Sequence, residues 1–353
     1  MRKKHFLFAS VLALLCGSST LHAQDFKLTS SGYFKNQGVD VMAFDDIYPE
    51  GHQGGVCIIM NGHRVATNGD IRLEATPGQW QPVPKQLDRK LGDNSITATL
   101  CYPDSSRHLT GFNPMIYPDL HLIYTVNVES KGKNIEVTVD LDRPIPQEFI
   151  GKVGFNLEFF PGSLFGKPWI MDGQSGIFPQ QPNSPLMTTQ PNYLHTGNYH
   201  DGKKSLADMD KLIGKGYSPI VADDIISEPY AKGTKFTSRP DDPYNKVTIE
   251  SLSGDLQLFD GRMNHNNGWF VLRSNIKPGV TKGAVKWIIT PNVVADWMYQ
   301  PVIQTSQIGY HPTQDKEAVI EMDIRDNRKE TAQIIRIDAD GEKVVKNVTP
   351  ANW

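Results

Sequence analysis

Apolar and polar positions alternate with a period of two along most of this chain, a pattern typical of β-strands with one buried face. The alternation is cleanest in His121–Asn127 and Asn134–Asp140, and Lys131-Gly132-Lys133 between them predicts a hairpin turn. The one helix candidate is Ser205–Ile213. The predicted strands up to residue 290, in chain order, are Val39–Phe44, Val56–Met60, His63–Thr67, Ile71–Ala75, Ser95–Tyr102, Leu120–Ser130, Asn134–Leu141, Val153–Phe160, Lys246–Leu252, Leu256–Phe259, Gly268–Ser274 and Gly283–Thr290.

Short turns join many of these runs. Asn61-Gly62 and Asn68-Gly69-Asp70 predict two tight turns in succession. Antiparallel strands with short connections favour a two-sheet sandwich over βαβ units. We therefore expect an all-β fold in which residues 24–300 form a large antiparallel β-sandwich. Between its two sets of strands, Pro161–Pro243 is rich in Pro, Gly, Asn, Asp and aromatic residues and is predicted to be a packed insertion.

The last 50 residues, from Gln304, carry a separate pattern. Two extended runs, Gln304–Ile308 and Ala318–Met322, flank a Gly-Tyr-His-Pro turn. Two more, Gln333–Asp338 and Lys343–Asn347, are joined through an Asp-Gly step that favours a hairpin. Because an immunoglobulin-like sandwich needs about seven strands and ~100 residues, four strands predict an incomplete immunoglobulin-like domain at residues 301–353.

The same stretch carries a family resemblance. The run Ser306–Pro312, with Lys316 after it, resembles the Asn-Gln-Val-Gly-Tyr-x-Pro opening of the immunoglobulin-like module that precedes the catalytic barrel in family 9 glycoside hydrolases, the cellulase type. Ser306 and Ile308 depart from that pattern, whereas Gln307, Gly309, Tyr310 and Pro312 keep it. The longer region before it resembles, more loosely, the extra N-terminal β-domain of such enzymes from gut Bacteroidetes.

The resemblance implies that catalysis belongs to an (α/α) barrel downstream of the module. The Asp-Ala-Gly-Asp type motif of that barrel is missing here, since Asp338-Ala339-Asp340-Gly341 has a different order and lies in a predicted hairpin. No catalytic residue carries over from the family. The implied partner of this chain is the catalytic barrel of its parent protein, acting on β-glucan polysaccharides.

The first residues predict export. A basic leader, Arg2–His5, precedes the apolar run Phe6–Cys16 and the small, polar stretch Gly17–Ala23. This is the pattern of a signal peptide over residues 1–23, and 11 apolar residues are too few for a membrane span, which needs ~20. We expect a periplasmic, cell-surface or extracellular protein; a lipid anchor on Cys16 is disfavoured because Leu15 before it is not small.

Composition excludes several classes. Lys and Arg number 36 against 39 Asp and Glu, and no basic stripe with interleaved aromatics points to nucleic acid. Phosphate-binding loops and Gly-x-Ser-x-Gly elbows are missing from the sequence. Cys57 and Cys101 lie in strand-like runs, and a disulfide between them and two buried free thiols are equally compatible with export.

Glycoside hydrolysis needs two carboxyl groups flanking the bond. Glu158 and Asp172 flank an aromatic-rich turn and are the speculative acid pair, because an apolar neighbourhood raises a carboxyl pKa. The pattern favours ordinary roles for both, as the polar position of a strand and the first residue of an Asp-Gly turn. Asp223-Asp224 and Asp241-Asp242 offer oxygen ligands for calcium but lack an EF-hand spacing, so solvated loop acids are favoured.

Two tryptophans, Trp80 and Trp169, lie in loop-like contexts and are the candidate platform for stacking a sugar ring. Packing in the core is the favoured role even for Trp169. The sequence thus predicts a non-catalytic front end of a secreted polysaccharide-degrading hydrolase. A carbohydrate-binding module with an aromatic platform and a self-contained sandwich-fold lyase or hydrolase are the alternatives.

Overall fold

The computed structural model describes residues 25–45, 54–74, 77, 82–110, 117, 120–182, 228–263, 268–328 and 330–352. The predicted signal peptide, Trp80, Asp223-Asp224 and the helix candidate Ser205–Ile213 lie outside these residues. The strands, in chain order, are β1 Lys27–Leu28, β2 Phe34–Asn36, β3 Val39–Ala43, β4 Val56–Met60, β5 His63–Leu73, β6 Lys85–Leu91, β7 Ser95–Tyr102, β8 Leu122–Lys131, β9 Asn134–Leu141, β10 Val153–Phe159, β11 Pro168–Met171, β12 Gln174–Ile177, β13 Ala231–Gly233, β14 Lys235–Ser238, β15 Val247–Ser251, β16 Leu256–Asp260, β17 Phe270–Asn275, β18 Val285–Pro291, β19 Val302–Gln304, β20 Val319–Glu321, β21 Ala332–Asp338 and β22 Gly341–Val348.

Two large antiparallel sheets contain most of these strands, which confirms the predicted all-β fold and its sandwich. In the described residues the first sheet has nine strands in the order β1-β2-β3-β4-β5-β10-β17-β16-β13. The second also has nine, in the order β12-β11-β14-β15-β18-β9-β8-β7-β6. Short 3-10 turns occur at Ser105–Arg107, Gln147–Phe149, Pro161–Ser163 and Gly261–Met263, and no helix of the described part is long and apolar enough to cross a membrane.

The core lies between the inner faces of the two sheets. Strands β7, β8 and β9 alternate buried and partly exposed positions, as their period-two patterns predict. Strand β10 is buried at all seven positions, so both faces of the first sheet are covered there. Trp287 of β18 joins the sheets: its ring meets Phe155 of β10 edge to face at 5.0 Å, and its indole N–H donates to Ser274 Oγ of β17 at 3.0 Å.

The predicted turns at Asn61-Gly62 and at Lys131-Gly132-Lys133 are confirmed as the β4–β5 and β8–β9 hairpins. The turn predicted at Asn68-Gly69-Asp70 is wrong, because β5 runs straight through it. Asn68 has a positive φ of 55°, and the pairing of β10 with β5 shifts register between Asn156 and Glu158. The residues Asn68-Gly69 therefore form a local irregularity within one long strand and not a turn between two strands.

The predicted insertion Pro161–Pro243 is in part regular structure. Strands β11, β12 and β14 extend one edge of the second sheet, and β13 forms an edge of the first. These four strands have three or four residues each, too short for alternation to show against Pro and Gly neighbours.

After residue 300 the described residues form two two-stranded sheets, β19 with β20 and β21 with β22. The first predicted run, Gln304–Ile308, is misplaced, because β19 spans Val302–Gln304 and ends where that run begins. The hairpin at the Asp-Gly step is confirmed, with Asp338 opposite Gly341 and a φ of 110° at the glycine. Apolar side chains of these strands remain exposed, including Ile337 at 75%. Assignment of this region to an immunoglobulin-like module remains a prediction.

Candidate functional site

Glu158 lies at the edge of a buried cluster of charged side chains on the central strands of the first sheet. It occupies β10 with 3% of its surface exposed, and its Oε2 accepts a hydrogen bond of 2.6 Å from Asn68 Nδ2. Asn156, two residues earlier on β10, donates from Nδ2 to Glu74 Oε1 at 2.6 Å. The polar position predicted at Glu158 is therefore real, but it faces the interior and not the solvent.

Arg273 of β17 is the centre of this cluster and is 1% exposed. A guanidinium has five N–H donors, and Arg273 has five acceptors for them. Its Nη1 donates to Glu74 Oε1 at 3.1 Å and to Asn156 Oδ1 at 3.2 Å, and its Nε donates to Asn275 Oδ1 at 2.7 Å. Its Nη2 donates to the carbonyl oxygens of Glu74 at 3.2 Å and Lys152 at 2.7 Å. One side chain thus fixes β17 to β10 and to the residue that follows β5.

Glycine at position 154 makes room for this guanidinium. An added Cβ there would lie 2.7 Å from Arg273 Nε and 2.9 Å from the Ser274 carbonyl oxygen. Such contacts are too short, so a larger residue at 154 would displace either the guanidinium or the backbone of β17.

A second buried group lies on β5. Arg72 Nη1 is 3.7 Å from Asp70 Oδ2, and Tyr124 of the second sheet donates its hydroxyl to Asp70 Oδ1 at 2.8 Å. Tyr102, also of the second sheet, accepts from the Leu73 amide at 3.1 Å and donates to the Pro82 carbonyl at 2.9 Å. Tyrosines of one sheet therefore satisfy polar groups of the other across the apolar core.

Burial shifts two of these acids, Glu74 and Asp70, toward their neutral forms. It raises the pKa of Glu74 to about 7, although Arg273 beside it acts in the opposite direction. It raises the pKa of Asp70 to about 6 against the influence of Arg72. Glu74 Oε2 has no hydrogen-bond partner among the described residues, which is consistent with a carboxyl group that gains little from ionising.

Carboxyl groups with raised pKa values are the usual acids of glycoside hydrolysis, but these cannot meet a substrate. Asp70, Glu74 and Asn156 are fully buried, Glu158 is 3% exposed and Arg72 is 6% exposed. The cluster is therefore suited to holding strands together and not to reaching a sugar.

Asp172, the other member of the predicted acid pair, lies in the turn between β11 and β12 with a φ of 48°. Its Oδ2 accepts from the Thr234 amide at 2.8 Å and its Oδ1 from the Lys235 amide at 3.0 Å. The two predicted acids thus belong to different sheets, Glu158 to the first and Asp172 to the second. The carboxylate of Asp172 fixes the bend between β13 and β14.

Trp169 of the proposed sugar platform is 6% exposed and belongs to the core cluster. Its indole lies against Gly176 on the paired strand β12, where an added Cβ would be 2.5 Å from the ring. This geometry places Trp169 in the packing role that the sequence favours and leaves its ring without a free face for a sugar. A disulfide between Cys57 and Cys101 is wrong: both are free thiols, on strands of opposite sheets.

Asp242, from the second candidate calcium pair, has hydrogen-bond donors on both carboxylate oxygens. Oδ1 accepts from the Tyr244 amide at 2.9 Å, and Oδ2 accepts from Asn245 Nδ2 at 3.1 Å and from Arg239. Among the described residues no group of three or more His, Cys, Asp or Glu side chains could hold a metal ion. The calcium prediction itself remains untested.

The residues that carry the family resemblance form a self-bonded loop. The Tyr310 hydroxyl accepts from the Ser306 amide at 3.2 Å and donates to the Glu317 carbonyl, which joins the two ends of the loop. Lys316 Nζ donates to the carbonyl oxygens of His311, Pro312 and Gln314 at 3.2, 3.0 and 2.7 Å. Gly309 has a φ of 80°, a conformation that favours glycine. The geometry of this loop therefore accounts for three residues of the motif, namely Gly309, Tyr310 and Lys316.

Three lysines that the sequence did not single out converge on the outer face of the second sheet. Lys133, Lys235 and Lys246 line a groove of about 460 Å³ with Thr248, Thr290, Pro291, Asn292 and Val293. They lie up to 113 residues apart in the chain, so only the order of the strands brings them together. No local sequence signal would have found this group.

Stability should fall as pH rises from 5 to 8, because folded Glu74 keeps its proton to about pH 7 whereas the unfolded group loses it near 4.5. The folded state binds more protons within that window, so raising the pH favours unfolding. Between pH 5 and 8, the free energy of unfolding should therefore fall by about 2–3 kcal/mol less in Glu74→Gln than in the wild type. Denaturant unfolding at each pH measures it, with the exposed Glu148→Gln as control. An equal decline in Glu74→Gln and the wild type would contradict the assignment.

Tyr310→Phe should loosen the motif loop without unfolding the sandwich, because it removes the hydroxyl that joins the loop ends. We expect hydrogen exchange at the Ser306 amide to accelerate by about tenfold, the effect of losing one hydrogen bond. Tyr244→Phe is the matched control, since the Tyr244 hydroxyl makes no hydrogen bond with the described residues. Unchanged protection of Ser306 would show that the hydroxyl does not hold the loop.

Comparisons with known proteins leave the family open. No family model matches the sequence, and no curated protein matches it. A galactose mutarotase-like protein from Lactobacillus casei ATCC 334 is similar in structure with a TM-score of 0.35 and 11% identity, over 73% of this chain and 97% of that one. Heparan sulfate lyase HepC from Pedobacter heparinus gives a TM-score of 0.29 and 10% identity over 94% of this chain.

The chain spans 44% of the length of that lyase. Likenesses at these TM-scores carry no argument about what this chain does. The resemblance to family 9 glycoside hydrolases is not confirmed by any comparison and remains a prediction from the residues of the Ser306–Pro312 motif.

Proposed function

We propose that this chain is a non-catalytic β-sandwich of an exported, polysaccharide-degrading glycoside hydrolase of the cellulase type. Its role is to hold and position a catalytic (α/α) barrel that acts on β-glucan. The observation that carries this proposal is that both predicted acids, Glu158 and Asp172, are committed to hydrogen bonds within the fold.

The burial of the acid cluster supports a non-catalytic role. A retaining glycosidase needs two carboxyl groups about 5–5.5 Å apart, and an inverting one about 6.5–9.5 Å apart, on either side of a bound sugar. Glu158 is 3% exposed and accepts a hydrogen bond from the side-chain amide of Asn68. Asp172 lies on the other sheet and accepts hydrogen bonds from two backbone amides. Neither acid presents a free oxygen pair to a shared cleft.

A positioning role is supported by the segment between the sandwich and the last two sheets. Gln37 Nε2, in the turn between β2 and β3, donates to the Trp297 carbonyl at 2.8 Å. Asp323, which follows β20, accepts from the Tyr299 amide at 2.9 Å and from the Arg325 guanidinium at 3.0 Å. Arg325 also donates to the Trp297 carbonyl, so hydrogen bonds from both sides hold this connector.

A fixed connector is what a positioning domain requires, because a flexible linker would leave the orientation of the next domain unspecified. The motif loop around Tyr310 follows the connector directly and carries the resemblance to modules that precede catalytic barrels. These features together favour a scaffold over an independent enzyme.

The chain alone should release no reducing sugar from soluble β-glucan above the buffer blank, with an active cellulase as the positive control. Glu158→Gln and Asp172→Asn should leave that blank unchanged, because neither carboxylate reaches a substrate. Measurable hydrolysis by the wild-type chain that disappears in Glu158→Gln, with circular dichroism unchanged, would overturn the proposal.

A further inference from the structure

The lysine-lined groove on the second sheet brings three lysines together without an acidic side chain in its lining. Its floor consists of Thr248 of β15 and Thr290 of β18, which are directly opposite each other in the ladder. Both belong to the outer face, because their strands alternate buried and partly exposed positions. The groove is therefore open to solvent and its floor carries hydroxyl groups.

The hydroxyls are held in place by neighbours on the same face. Thr290 Oγ1 donates to Asn134 Oδ1 at 2.9 Å, and the Thr237 and Thr248 hydroxyls lie 3.1 Å apart. At one end of the groove, the Asn292 amide donates to the Lys246 carbonyl at 2.9 Å. The surface that a ligand would meet is thus already organised.

The three lysines approach from different connections. Lys133 comes from the β8–β9 turn, Lys246 immediately precedes β15, and Lys235 begins β14. No acidic side chain lines the groove. Lys235 is paired with Glu250 at 3.6 Å, whereas Lys133 and Lys246 form no ion pair with the described residues. Glu136 lies further along the outer face of β9 and is the next nearest acid on that strand.

We propose that this groove binds an acidic polysaccharide, with Lys133 and Lys246 contacting the carboxylates of uronate residues and the threonine face contacting sugar hydroxyls. The groove has a volume of about 460 Å³ and is open along one side, which suits an extended chain that lies across the sheet. Ammonium groups supply charge-assisted hydrogen bonds to carboxylates. The chain as a whole has a net charge of −3, so attraction of a polyanion has to come from a local site such as this.

A nucleic acid is a poorer occupant, because the groove has no aromatic side chain on which a base could stack. The inference rests on the proposed function only for the carbohydrate nature of the ligand. The preference for negative charge comes from the lysines and goes beyond the neutral β-glucan expected of a cellulase-type parent.

Titration calorimetry with trigalacturonate at low salt tests the proposal. We expect saturable binding that weakens as salt is added, and no detectable binding of the fully methyl-esterified trisaccharide, which has the same sugars without the charges. Lys133→Gln and Lys246→Gln should each weaken binding by about tenfold, the effect of losing one charge-assisted hydrogen bond. Lys232→Gln, the same change on an exposed lysine of the first sheet, should leave binding unchanged.

Several results would overturn the proposal. They are an absence of trigalacturonate binding, equal weakening in Lys232→Gln, or wild-type affinity in both groove variants. Titration with inorganic phosphate completes the test. If phosphate binds the groove as tightly as the trisaccharide, the sugar contributes nothing to the affinity, the site is a simple anion site and the proposal fails. None of these outcomes bears on hydrolysis, so the proposed scaffold role would fail or survive separately.

Discussion

The buried guanidinium of Arg273 is the interaction on which the rest of the first sheet depends. A charge removed from water is tolerated only when its hydrogen-bonding groups are satisfied and an opposite charge is near. Arg273 meets both conditions through Glu74, Asn156, Asn275 and the Lys152 carbonyl. Glu74 lies 199 residues away in the chain, so the pair requires β5, β10 and β17 to be assembled in one register. Gly154 leaves the space that this register needs.

This constraint decides how the acids of the chain can be used. Glu74 and Asp70 have raised pKa values, a property often found in catalytic acids. Structural charge networks produce the same shift, and burial distinguishes the two cases here. The buried ionisable groups of the first sheet therefore hold its strands together. The second sheet has the opposite character, with threonines and lysines on an open outer face, and any ligand chemistry of the described residues is better placed there.

Much of the fold follows from the period-two pattern. Strands β4 and β7 begin and end where the sequence predicts them, and β8 and β9 form the predicted hairpin. Strands β7, β8 and β9 each have one buried and one partly exposed face, whereas β4 is buried at four of its five positions. The short strands β11 to β14 escaped prediction, since three or four residues cannot establish a period against Pro and Gly neighbours. At Asn68-Gly69 a local turn preference was overridden by pairing with β10.

The candidate sites were less predictable than the strands. Arg72, Glu74 and Glu158 look like solvent-facing polar positions in sequence, but a sheet covered on both faces buries them. Their partners are distant in the chain, as are the three groove lysines, so proximity appears only with the strand order. For Trp169 the sequence favours packing over sugar stacking, and contact with Gly176 places it in the core.

The unfolding free energy of Arg273→Met at pH 8, compared with that of the wild type by denaturant titration, tests the central claim most directly. Methionine keeps much of the side-chain volume but removes the cation that lowers the pKa of Glu74, so at pH 8 Glu74 must either stay ionised without a partner or take up a proton. If the guanidinium organises the first sheet, the variant should lose about 3–5 kcal/mol of stability at this pH and less at pH 5, where Glu74 is protonated. A variant within about 0.5 kcal/mol of the wild type at pH 8 would show that the buried pair does not hold the fold together.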